Sequence, residues 1–273
     1  MTRSRFSKLI CFVLFVFSFR LLVFSFDFDD LGLEGRAFDG RFLVYASDYS
    51  LAKKISSRVR NIYNKVISDI GSSGAFKTKY QIFVWSSKQG FMNFLRPRSL
   101  GVNADNVAAV AIAKYSNGIP TIAGYSSDRF FKSDLPHELT HLILNDIFGS
   151  AQLIPLWLNE GLATYEGDGP LGNEQRSFLS QVISNQTYIP LAELFSLKQY
   201  PLSGYKIKLF YLQSQSLVDY LLKTKPKQDS FDSFLRWYVV KGNSFSQAYL
   251  YSYGKQGGLK KLEESWINYI INN

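Results

Sequence analysis

The chain contains two histidines, and they stand four residues apart in Pro136-His137-Glu138-Leu139-Thr140-His141. Imidazole is a common ligand for divalent metals. On a helix a four-residue step turns the chain by about 40° net, so His137 and His141 project from one face and can hold one ion. Glu138, about 100° round from His137, lies beside such an ion without pointing at it, where its carboxylate can take a proton from metal-bound water. Two imidazoles leave a tetrahedral zinc site incomplete, and catalysis needs a third protein ligand together with an open position. Glu160 follows His141 with eighteen residues between them, inside Trp157-Leu158-Asn159-Glu160-Gly161, and can complete the set. Nitrogen and oxygen donors of this kind favour one Zn2+ ion. The chemistry on offer is metal-assisted hydrolysis.

Two rods must position these groups. Ser133 or Asp134 can cap a helix carrying the histidines, Pro136 suits its first turn, and Gly149 follows its end. Leu135, Leu139, Leu142, Ile143 and Ile147 gather on another face of it, which packs. A second helix beginning near Pro155 carries Glu160. Upstream, alternation and apolar runs predict strands over Phe42 to Tyr45, Tyr80 to Trp85, Val107 to Ala113 and Pro120 to Ala123, the last two separated by the turn signal Asn117-Gly118. Leu51 to Ile70 predicts an amphipathic helix stopped by Gly71. After Asp134 the chain reads as mainly helical, with a glycine-rich break from Gly167 to Gly172. The expected fold is α+β: a small mixed β-sheet lobe over 40–130 packed on a helical lobe over 131–273, with the metal site in the cleft. Ala108 to Ala113 reads either as an apolar edge strand that an extended peptide can join by main-chain hydrogen bonds, or as a buried strand. Asp146 reads either as a group orienting a ligand or as a solvated side chain.

The rest of the chain bounds these readings. With 273 residues, 46% hydrophobic and 19% charged, it has ordinary globular composition and room for one large core. The net charge of +9 comes from scattered basic residues, so no nucleic-acid partner is expected. Cys11, the only cysteine, lies in the N-terminal apolar run, which excludes a disulfide framework and a Cys-ligated metal in the folded part. Arg3, Arg5 and Lys8 precede that run, Leu9 to Phe26, broken only by serines and Arg20. Eighteen helical residues measure about 27 Å, close to a bilayer core. Residues 1–30 therefore read as a secretory signal or an uncleaved membrane anchor. Either places the remainder outside the cytoplasm, periplasmic or in the cell envelope, with possible membrane association through the N-terminus.

On the residues quoted, HExxH, eighteen residues and then an Asn-Glu pair, the chain resembles the gluzincin metallopeptidases. Trp157-Leu158-Asn159-Glu160-Gly161 is similar to the matching segment of zinc aminopeptidases. The order of elements from residue 40 to about 270, closing with Tyr253-Gly254 and Trp266, resembles the small bacterial gluzincins called peptidase MA-like. The resemblance implies a thermolysin-like fold and a zinc-dependent peptidase acting on peptide or protein substrates. It also implies a tyrosine that stabilises the oxyanion. Tyr211 is the best counterpart and Tyr205 the rival. No Gly-Ala-Met-Glu-Asn element precedes the metal helix, so the anchor for a free amino terminus is missing and the expectation is an endopeptidase. The alternative from another class is a non-catalytic extracytoplasmic module that binds metal or peptide on the same fold.

Overall fold

The computed structural model describes residues 31–71, 78–96, 107–112, 118–149, 153–254 and 257–272. Among these residues five strands form one mixed sheet: β1 (Gly35–Asp39), β2 (Phe42–Ala46), β3 (Tyr80–Trp85), β4 (Ala109–Ile112) and β5 (Thr121–Tyr125), in the order β1-β2-β3-β5-β4. The central strands β2, β3 and β5 run parallel, and each edge strand is antiparallel to its neighbour. Parallel strands need crossovers. The first is helix α1 (Tyr49–Ile70), started by Asp48, whose carboxylate accepts from the Leu51 amide at 2.9 Å.

Every residue of β3 is buried because both faces of the sheet are covered. Tyr80, Ile82 and Val84 pack with α1 residues such as Ile55, Val59 and Val66 in the main core. Phe83 and Trp85 point the other way, into a smaller core with Phe91 and Phe94 of helix α2 (Lys88–Leu95). The sheet begins at Gly35, ahead of the expected boundary at residue 40, since β1 pairs back on β2 across Gly40. The strand expected from Val107 to Ala113 forms over Ala109–Ile112; Ala113 and Asn117 lie outside the described residues.

The described residues that follow are mainly helical: α3 (Leu135–Phe148), α4 (Leu156–Asp168), α5 (Asn173–Ser184), α6 (Leu191–Ser196), α7 (Gly204–Lys223), α8 (Ser230–Leu235), α9 (Phe245–Tyr253) and α10 (Gly258–Asn272). Helix α3 joins the two parts, its Leu139, Leu142 and Ile143 entering the same core as the strand residues. Helix α4 packs on both α3 and α7. At Gly161 the approach to α7 is so close that a β-carbon would stand 2.6 Å from the Ser214 carbonyl oxygen, which only glycine avoids. Among the described residues no helix is long and apolar enough to cross a membrane, and the run Leu9 to Phe26 lies outside them.

Candidate metal centre

The helix that carries the histidines starts earlier than the sequence predicts. Neither Ser133 nor Asp134 caps it: both sit in a π-helical turn, Phe130–Asp134, that runs straight into α3. The Phe130 amide instead donates to the Ser127 hydroxyl at 3.0 Å, so the capping residue lies six positions before Ser133. Asp134 accepts from Arg129 Nε at 3.0 Å, and the Ser133 hydroxyl donates to Asp168. The far end is as expected, with Gly149 in the left-handed region at φ 77°.

On α3, His137, Glu138 and His141 are all buried. The two imidazoles meet edge to face with Nε2 atoms 3.2 Å apart. Glu160, fully buried on α4, brings Oε2 to 3.8 Å from His137 Nε2 and Oε1 to 3.8 Å from His141 Nε2. One donor atom from each of the three residues lies within 4.8 Å of the others. Donors around a tetrahedral zinc at about 2.1 Å stand roughly 3.4 Å apart, so the three side chains are placed to share one ion. Glu160 Oε2 is buried without a hydrogen-bond partner, which is costly unless a cation takes that oxygen.

The surroundings fix each group. His141 Nδ1 lies 3.0 Å from the Asn159 amide oxygen, so that nitrogen carries the proton and Nε2 keeps its lone pair for a metal. The His137 ring hydrogen-bonds the Ala163 backbone carbonyl. Burial drives both histidines toward the neutral form, His141 down to about 4 and His137 well below its ordinary value, the latter also repelled by His141 and Arg129. Burial pushes Glu160 up to about 7, opposed by hydrogen bonds from the hydroxyls of Tyr200 and Tyr211. Glu138 is held well above the usual carboxylate range by burial and by the negative charges of Glu160 and Asp134, opposed by a hydrogen bond from the Ala111 backbone. Neutral imidazoles and carboxylates that resist ionisation, packed together out of water, form an environment that a divalent cation relieves.

The structure brings four of the expected residues together, His137, Glu138, His141 and Glu160, and sets Tyr211 beside Glu160. Tyr205 is 51% exposed and packs edge-on against Phe178 instead. Asp146, partly exposed, is held away from the ligands: it accepts from Tyr80 at 3.0 Å and from Thr78, tying the end of α3 to the start of β3. Of the span Ala108 to Ala113, Ala109–Ile112 forms β4, which pairs with β5 alone among the described strands and is thus an edge strand, although Ala109 and Val110 are buried; the Ala111 backbone reaches Glu138. Tyr200 was not expected at the site. It precedes Pro201 between α6 and α7, and its hydroxyl donates to Glu160 Oε1 at 2.6 Å.

The sequence profile of the Peptidase MA superfamily matches residues 105–272, over half the chain, and the match includes His137, Glu138, His141, Asn159, Glu160, Tyr200 and Tyr211. The chain belongs to the Peptidase MA superfamily. Its fold is that of a metallopeptidase, with a small sheet followed by a helical part, and a metal is the usual occupant of such a site in the superfamily. No curated protein is similar enough to match the chain.

Proposed function

We propose that the protein is a zinc-dependent endopeptidase. The observation that carries this reading is the meeting of His137, His141 and Glu160, with Glu138 next to His137 on α3 as a proton acceptor. A zinc ion held by the three would supply a Lewis acid that brings the pKa of a bound water toward about 7. Glu138 takes a proton from the attacking water as its oxygen bonds to the peptide carbonyl carbon, and returns it to the amine nitrogen as the C–N bond breaks. The hydroxyl of Tyr211 donates to the oxyanion. An extended peptide lies along β4, whose main chain is free of a strand partner on its outer side among the described residues. That mode of binding needs no free amino terminus, which supports internal cleavage. Residues 1–30 deliver this domain to the outer side of a membrane, as a signal or an anchor.

Glu138→Gln tests the reading. The variant should bind zinc as the parent does while cleaving a peptide library at least 10²-fold more slowly, followed by mass spectrometry of the products. Undiminished cleavage rejects the base assignment. Absence of chelator-sensitive cleavage by the zinc-loaded parent favours the non-catalytic binding module.

A further inference from the structure

Glu160 has two carboxylate oxygens in unlike settings. Oε1 accepts from the Tyr200 hydroxyl at 2.6 Å, a short bond of the kind made to a charged acceptor. Each oxygen lies 3.8 Å from one imidazole Nε2, Oε1 from that of His141 and Oε2 from that of His137, but Oε2 is buried without a hydrogen-bond partner. The Tyr200 ring is itself fixed, nearly parallel to Tyr211 at 6.2 Å between centroids and edge-on to Phe210 at 6.0 Å. The Tyr200 hydroxyl also hydrogen-bonds that of Tyr211.

We propose that Tyr200 is a positioning residue that occupies one oxygen of Glu160, so that the carboxylate meets the cation through Oε2 alone and a coordination position stays open. The proposal rests on the zinc reading above and goes beyond it in assigning which oxygen binds and what enforces the choice. Without the Tyr200 hydroxyl the carboxylate keeps only its hydrogen bond from Tyr211, and it can turn to offer both oxygens, filling the position that the attacking water needs. The link to Tyr211 extends the same constraint to the group facing the oxyanion, so one loop tyrosine sets the attitude of two working side chains.

Tyr200→Phe removes the hydroxyl and keeps the stacked ring. Zinc affinity, read by competition with a chromophoric chelator, should fall about 10–100-fold, the range typical for loss of a partner that orients a ligand. In a Glu160→Ala background, where the hydroxyl has nothing to orient, the same change should alter affinity less than about twofold. Cobalt(II) in place of zinc should absorb more weakly in the visible in Tyr200→Phe, as expected when the coordination number rises. Circular dichroism and melting of the metal-free variants establish that they are folded. Equal losses in both backgrounds, or an unchanged affinity and cobalt spectrum, would overturn the proposal. Failure of the unmutated protein to bind zinc would be a different result, bringing down the metal reading and this proposal together.

Discussion

The imidazole of His141 on α3 and the amide of Asn159 on α4 are joined through Nδ1 and Oδ1 at 3.0 Å, directly beside the point where Glu160 leaves the same helix. One residue of the Asn-Glu pair fixes an imidazole of the facing helix while its neighbour brings a carboxylate to the same place. Asn159→Leu should therefore weaken zinc binding about 10–100-fold. It should also cost about 1–3 kcal/mol of metal-free stability, because a buried ring N–H loses its acceptor. Asn159→Asp keeps an acceptor and should retain most of the affinity. Chelator competition and denaturant melts separate the two effects.

Zinc binding should release protons in a pH-dependent way. Glu160 sits at about 7 in the metal-free protein and must be ionised to bind, whereas His141, at about 4, is already neutral above pH 5. Apparent affinity should rise as pH climbs from 5 to 7 and flatten above 8. Calorimetry in buffers of different ionisation enthalpy should show close to one proton leaving Glu160 at pH 6; by pH 8 Glu160 supplies almost none, and the proton released there comes from the bound water.

Glu166, two turns beyond Glu160, contributes a second pH effect away from the metal. Its carboxylate accepts from Lys65 of α1 at 2.6 Å, but burial outweighs that ammonium and raises it to about 7, above its ordinary 4.5. The native state thus holds the Glu166 proton more tightly than the unfolded chain does. The stability this group lends is complete below pH 4.5 and is lost as pH rises to 7, by up to about 3 kcal/mol. Glu166→Gln keeps an acceptor for Lys65 and should melt higher than the parent at pH 8, with a shallower fall in stability between pH 5 and 7. Thermal melts across that range check it.

Gly161→Ala places a methyl 2.6 Å from the Ser214 carbonyl oxygen and 3.0 Å from Val218 Cγ2. Helix α4 must then shift from α7, carrying Glu160 with it. We expect a loss of about 1–3 kcal/mol in stability, as for other overpacked contacts. Zinc affinity should fall along with it, measured on the same samples.

The meeting of His137, His141 and Glu160 was legible because metal chemistry restricts both residue type and helical spacing, and chance rarely supplies that combination. The strands β2, β3 and β5 and helix α1 were legible from uniform apolar runs and from a 3.6-residue stripe. Strand β1, Gly-Arg-Ala-Phe-Asp, was not: it is an edge strand whose Phe38 is 63% exposed, so no apolar alternation marks it. Helix α2 was missed because it spans eight residues around Gly90, which permits close contact with Trp85 at the expense of helix propensity. The entry to α3 was misplaced because a π-helical turn leaves no periodic trace, and the capping serine falls before it. Tyr200 was invisible for a different reason. A tyrosine in a connection between helices has no spacing relation to Glu160, 40 residues away, and only the folded chain brings them together.

Helix α4 is gripped from several sides: by Lys65 of α1 at Glu166, by the backbone of α7 at Gly161, and by Phe195, stacked on Trp157 at 4.6 Å. A wall pinned at so many points has little play. On the endopeptidase reading proposed above, room for a bulky peptide must then come from the short strand β4, so cleavage preference is expected to follow changes there more readily than changes in the helix bearing Glu160.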